Sequence, residues 1–367
     1  MEGIALALAV CLILAYAARR LSFPPIPLYI VGGIILGESG LALIGETETA
    51  AFLSHLGLVF LLFYVGLELT PRRIREHSRS FLKSGLVDLH INLIIGLAAG
   101  LLVGLSLMEA VVFAAAFYIS SSAIVFTSLI ERGRLVLPEA STIVWMMIFE
   151  DLALVALIAI FSAGESDILL LAVKIALMVA IIYGGARVFS VTIEEILSRS
   201  EDLPVLFAFS SVVVVAFAAQ AAGVPDTLAV IVLGSALSSI APRELDEQTR
   251  PFRDVFLVLF FVFFGVSVQF SSISILPVVL AVSAAAIASK ALSGYIIGWV
   301  LHRSRGAGIE IAATIIPRGE FSIAIATLFA SPAVIPLVAG VVIVTSIVGS
   351  LTAHHTRALR RRFAPSR

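Results

Sequence analysis

Glu150 and Asp151 stand side by side in "WMMIFEDLALVALIAI", with apolar residues continuing on both sides. A carboxylate at a bilayer centre costs roughly 2.5–3.5 kcal/mol on insertion scales, and an ionisable residue there is a functional site by default. A carboxylate buried beside another is a proton-binding group. It is also an oxygen ligand of the kind small hard cations prefer, as are serine hydroxyls and free backbone carbonyls. Three other stretches place such groups inside apolar runs: Ser120, Ser121 and Ser122 in "YISSSAIVF", Lys290 in "ASKALSGY", and Pro317, Arg318, Gly319 and Glu320 in "TIIPRGEFS". Adjacent helical residues point about 100° apart, so Glu150 and Asp151 cannot both face one partner squarely. One can face a water-filled cavity, the other a packed neighbour, and Lys290 is the natural partner of the second. A site that takes a proton and a cation in turn, alternately exposed, is the chemistry of an antiporter.

The elements that position these residues follow from composition. The chain has 367 residues, 60% hydrophobic and 13% charged, whereas soluble domains have about a quarter of their residues charged. This is an all-α polytopic membrane protein. The single cysteine, Cys11, excludes an internal disulfide framework and reads as a packing residue. Residues 4–18 read as a retained first span rather than a signal peptide: Glu2 precedes the apolar run and Arg19 and Arg20 follow it. Cutting at polar and Pro/Gly punctuation predicts spans over 2–18, 24–43, 51–70, 84–105, 109–131, 139–163, 166–190, 203–221, 225–241, 252–271, 274–301, 307–330 and 333–353, about 13 transmembrane helices. All but three of the 24 Lys and Arg fall in loops after odd-numbered spans or in the tail. Glu38, Glu46, Glu48, Glu165 and Asp167 lie in the others. The positive-inside rule then places the N-terminus outside and the C-terminus in the cytoplasm of a multi-pass cell-membrane protein.

The three remaining basic residues are Lys174, Lys290 and Arg318. Lys174 lies in the first third of its span and can snorkel outward; the other two sit mid-span. Glu68, Asp88, Glu109 and Glu310 read as interfacial charges without a transport role. The serine stretch interrupts span 5 and the Pro-Arg-Gly-Glu stretch interrupts span 12. Pro317 removes a backbone donor and Gly319 tolerates any local conformation. Spans 1–6 and 8–13 would be inverted repeats, each with an interrupted fifth member, which is the sequence pointer to a transporter binding site. Half-helix ends would meet at the midplane, with Arg318 and Glu320 neutralising them or each other.

"SSSAIV" followed by "ERG", the acidic pair in "FEDLALV", the lysine in "ASKALSGY" and "PRGEFSIAIA" together resemble the monovalent cation:proton antiporter-2 family, which includes Kef-type potassium/proton and NapA-type sodium/proton antiporters. "FYVGLEL" and "LFFVFFGVSV" are similar too, and the resemblance covers essentially the whole chain. It implies two six-helix inverted repeats with crossed discontinuous helices (the NhaA-like fold) and a homodimer. Asp151 matches the aspartate that binds cation and proton in turn. Glu150 matches its neighbour, an aspartate in NapA-type and a glutamine in Kef-type members, and Lys290 matches the basic residue facing the pair. Residues 1–83 and 203–273 would form a dimerisation scaffold, 84–163 and 274–353 the transport core, 164–202 a linker helix, and 354–367 a basic cytosolic tail without a regulatory domain. A charged residue at 150 favours sodium over potassium, with sodium-coupled symport of an organic anion the alternative from another class. No nucleophile elbow, phosphate-cradling loop or metal-ligand spacing points to an enzyme or a cofactor. The expected partners are Na+ or K+, H+, the lipid bilayer and a second copy, with no nucleic acid; the basic inner face adds only weak attraction to anionic lipid.

Overall fold

The computed structural model describes residues 2–21, 25–45, 47–68, 78–131, 134, 136–163, 168–198, 202–240, 242–269 and 275–363. Glu46, Glu165 and Asp167 lie outside them, as do Arg72, Arg73, Arg75, Arg132, Arg199 and Arg367 among the basic residues counted above, and the side chains of Glu2, Arg19, Glu68, Arg79, Arg243, Arg253, Arg357, Arg361 and Arg362. The described residues form helices and no strand. In chain order these are α1 (Glu2–Leu21), α2 (Pro25–Leu36), α3 (Glu48–Glu68), α4 (Ser78–Leu102), α5 (Leu107–Tyr118), α6 (Ser122–Glu131), α7 (Pro138–Ala163) and α8 (Ile168–Val188). Then follow α9 (Ser190–Leu197), α10 (Leu203–Ala221), α11 (Asp226–Leu237), α12 (Pro242–Ser267), α13 (Ile275–His302), α14 (Arg305–Thr314), α15 (Glu320–Phe329) and α16 (Ile335–Phe363). Among the described residues, 7 helices are long and apolar enough to cross a membrane by length and composition. The short α9 lies between the predicted spans 166–190 and 203–221. It is a single amphipathic turn pair that buries Ile193 and Leu197, four residues apart, and exposes Glu194 and Glu195.

The chain divides into two compact units. The first comprises Met1–Thr47, His77–Glu150 and Phe261–Arg367. Its helices approach closely through small residues, as membrane helices do where lipid offers no hydrophobic drive to association. Gly96 and Gly100 of α4 lie on Ala114 and Ala110 of α5. Gly294 and Gly298 of α13 lie on Ala312 and Gly308 of α14 with the same four-residue spacing. Gly33 of α2 meets the backbone of Val262 and Gly265 in α12. A buried apolar cluster of Val125, Leu129, Ile143, Met146, Met147, Ile297, Ile311 and Ile315 joins α6, α7, α13 and α14.

The second unit comprises Glu48–Glu76 and Asp151–Phe260. Its centre is the α3–α11 pair, where Gly66 meets the Ile231 backbone and Gly234 meets the backbone of Phe63 and Leu67. Phe60 packs on Phe209 and Phe256 at ring-centroid distances of 5.3 and 5.7 Å. At the start of α11, Asp226 accepts hydrogen bonds from Gln220 Nε2 and the Thr227 amide, each at 2.7 Å, and His55 Nε2 lies 2.7 Å from it. A carboxylate suits that helix N-terminus. Lys174 reaches the α10–α11 turn, where its Nζ lies against Gly223. A side chain at 234 has no room, because the obstructing atoms are backbone rather than flexible side chain. Gly234→Val is expected to cost at least about 1–3 kcal/mol, read as a lowered melting temperature of the detergent-purified protein.

Candidate functional site

Two helices break and cross inside the first unit. The α5–α6 run opens at Ile119–Ser121, and the α14–α15 run opens at Ile315–Gly319. The Ser121 amide donates to the Pro317 carbonyl at 2.8 Å, so the two openings bond directly to each other. Gly319 is needed here because a Cβ would strike the Ser121 side chain, and the Pro317 ring seats on Gly349 of α16. Both expected interruptions are therefore present.

The crossing leaves two half-helix C-termini, with negative partial charge, and two N-termini, with positive partial charge. Arg318 serves the C-terminal side. Its Nε donates to the Phe117 carbonyl at 2.6 Å and its Nη1 to the Ile316 carbonyl at 2.9 Å. Its Nη2 reaches Asn92 Oδ1 at 3.2 Å and the Ala286 carbonyl at 3.3 Å, and the residue is fully buried. Glu320 serves the N-terminal side: it opens α15 and accepts from the hydroxyls of Ser121 at 2.8 Å and Ser122 at 3.2 Å, which open α6. Arg318 therefore lies against carbonyls at the half-helix C-termini and Glu320 at the half-helix N-termini. Ser346 and Ser322 donate to the carbonyls of Arg318 and Ile119 at 2.6 and 3.1 Å.

Beside the crossing lies a buried charge network. Lys290 Nζ donates to Glu150 Oε1 at 2.7 Å and to Asp88 Oδ2 at 2.6 Å. It also lies 5.1 Å from the centroid of the Tyr118 ring. Glu150 is held further by Ser120, whose hydroxyl donates to Oε1 at 3.0 Å and whose amide donates to Oε2 at 2.5 Å. Asp88 Oδ1 accepts from Ser293 at 2.6 Å and from Asn92 Nδ2 at 2.9 Å. Ser289 donates to Asn92 Oδ1 at 2.7 Å. All of these side chains are at most 2% exposed.

The geometry brings Glu150, Lys290 and Ser120 together as one ion-paired group, and Ser121, Ser122, Arg318 and Glu320 together at the crossing. Asp151 is the next residue on α7 and is 3% exposed. Asp88 corrects the interfacial reading: it is buried against Lys290. The sequence misled because Lys83 suggested a span starting at 84, whereas α4 begins at Ser78 and puts Asp88 well inside the helix. A signal was available: Ser84, Asp88 and Asn92 recur every four residues, on one helical face. Glu310 is also buried, paired with Arg134 at 2.7 Å, so it bridges elements rather than facing solvent. Glu109 closes a capping box with Ser106 at the start of α5 and accepts from Ser331, as an end-of-helix acid would.

Residues 5–357 match the sodium/hydrogen exchanger transmembrane family. The chain belongs to this family. It is a multi-pass membrane protein of the cation/proton antiporter class, in accord with the antiporter-2 resemblance. It is 28% identical to the K(+)/H(+) antiporter subunit KhtU of Bacillus subtilis, over 97% of this chain and 93% of the relative. It is 26% identical to the ammonium/H(+) antiporter subunit AmhT of Alkalihalophilus pseudofirmus, over 89% and 85% respectively. The sodium proton antiporter MjNhaP1 of Methanocaldococcus jannaschii shares the fold, with a TM-score of 0.69 at 18% identity over 99% of this chain and 96% of that one.

Proposed function

We propose that this exchanger trades a monovalent cation for protons by alternating access, with Asp151 binding cation and proton in turn. The observation that carries the reading is the contrast within the acidic pair. Glu150 has both oxygens engaged by Lys290 and Ser120, whereas Asp151 holds the position that the family resemblance gives to the exchanging aspartate. The site stands beside crossed half-helices whose ends Arg318 and Glu320 neutralise, an arrangement suited to holding ions at mid-membrane.

Thirteen spans in two inverted repeats are the architecture we infer, N-terminus outside. Two matched contacts support it. The α2–α12 glycine contact (Gly33 and Gly265) has its counterpart in α11–α3 (Gly234 and Gly66), and the α4–α5 contact has its counterpart in α13–α14. Spans 2 and 9, 3 and 10, 4 and 11, and 5 and 12 are the pairs an inverted repeat would equate. Residues 84–163 and 274–353 would form the moving core, 1–83 and 203–273 the scaffold of a homodimer, and 164–202 the linker.

Potassium is the cation we favour. The argument for sodium rested on a charged residue at 150, and that carboxylate is engaged by Lys290. The relatives KhtU and AmhT carry K(+) and ammonium in their names, two ions of similar size. Sodium remains the second reading, on the strength of the acidic rather than amide residue at 150. A pH-dye flux assay in proteoliposomes, with pulses of K+, NH4+, Na+ and Li+, tests both. Proton movement with K+ and NH4+ at lower concentration than with Na+ is expected. Half-maximal response to Na+ below that to K+ would reverse the assignment.

A further inference from the structure

Lys290 has more partners than a single ion pair requires. Its ammonium meets Asp88 from α4, Glu150 from α7 and the Tyr118 ring at the end of α5. Two buried carboxylates on one buried ammonium leave a surplus negative charge, which a fully desolvated site tolerates poorly. The second cation is Arg318. It reaches Asp88 through the Asn92 amide, which accepts from Arg318 Nη2 and donates to Asp88 Oδ1. Lys290 and Arg318 thus balance Asp88 and Glu150 in one connected network.

We propose that Asp88 is a positioning residue of the exchange reaction. It fixes Lys290 in place so that Glu150 stays a balanced anion, and only Asp151 trades, one proton for one cation. Asp88 itself touches neither ion. Both its oxygens are occupied, Oδ2 by Lys290 and Oδ1 by Ser293 and Asn92. The ammonium is therefore anchored on α4 whether or not Glu150 is charged. Removing the Asp88 charge leaves two cations against one carboxylate and an unbalanced positive charge beside the site. That charge opposes cation binding rather than the motion that carries the cation.

This inference rests on Asp151 being the exchanging carboxylate, and the test separates the two. The full chain is reconstituted in liposomes, the membrane potential is clamped at zero, and K+ and Na+ are varied against a pH gradient. Wild-type flux is expected to vanish where the cation ratio equals the proton ratio; a null point at any other ratio overturns the one-for-one assignment. Asp88→Asn is expected to raise the KM for cation about tenfold, the size of one uncompensated charge at effective protein dielectric, with the maximal rate kept within about twofold. Asp88→Glu should restore KM. Asp88→Glu, which keeps the charge, also decides the matter if Asp88→Asn alone does not fold. An unchanged KM in Asp88→Asn, or a KM raised about tenfold in Asp88→Glu, overturns the proposal. Absence of cation-driven proton movement in the wild type would instead overturn the proposed function.

Discussion

Asp151→Asn is expected to abolish cation-driven proton movement in proteoliposomes while leaving the yield and melting temperature of the purified protein close to wild type. The substitution is isosteric and removes only the charge and the exchangeable proton. Stability should hold because the ion-paired network is carried by Glu150, Lys290, Asp88 and Arg318. Activity should not, because the other acid of the pair is committed. Glu150 cannot take over without breaking its bonds to Lys290 and Ser120, and breaking a buried pair costs about 3–5 kcal/mol. The loss should therefore be at least about 10²-fold, since 1.4 kcal/mol corresponds to a factor of ten. Residual exchange within about tenfold of wild type would remove Asp151 from its role.

Arg318→Met is expected to have the largest effect on stability. Methionine comes close to the aliphatic stem of arginine and supplies none of its donors. The carbonyls of Phe117 and Ile316 would lose their partners at half-helix ends, and Asn92 would lose its link to the crossing. A buried acceptor left unsatisfied costs about 1–3 kcal/mol, so the sum reaches about 3–5 kcal/mol. Arg318→Lys should fail as well, because an ammonium is a point charge without the planar fork that serves several acceptors at once. The measurement is the monodisperse fraction and melting temperature in detergent, with Asp151→Asn as the stable comparison. A melting temperature for Arg318→Met within a few degrees of wild type would contradict the account of the crossing.

The parts of this site that were legible in the sequence share one property: they are expensive alone. Glu150 next to Asp151, Lys290 mid-span, and Pro317-Arg318-Gly319-Glu320 within an apolar run each demand an explanation from composition and depth. The Lys290–Glu150 pair and both helix breaks follow from that demand. The placement of Arg318 and Glu320 at the crossing also follows, because both stand within the interrupted run. What stayed hidden was depth near a span boundary. Asp88 lies five residues beyond Lys83, and a charge so close to a basic residue looks interfacial. The actual helix starts earlier, and burial against Lys290 is a tertiary fact that hydropathy does not encode. The division of labour between Glu150 and Asp151 was likewise only half legible. Helical geometry says that the two point apart, but only the fold shows that Glu150 is the one paired with Lys290 and Ser120.

The fold shows the same division. Apolar runs gave the helices their places, and the conspicuous glycines in α4 and α13 marked close contacts. The four-residue repeat of Gly96 with Gly100 and of Gly294 with Gly298 could have been read as helix-packing seams. The partner of each seam could not, because Ala110, Ala114, Gly308 and Ala312 look like ordinary small residues. The amphipathic α9 is short enough that its two buried residues carry no recognisable period.

Cation binding measured together with proton release tests the central claim most directly. The purified protein in weakly buffered detergent solution is titrated with K+ and with Na+, following heat and a pH indicator together. A proton released for each cation bound by the wild type, and neither binding nor release by Asp151→Asn, is the predicted result. Saturable cation binding without proton release, or release that persists in Asp151→Asn, would contradict it.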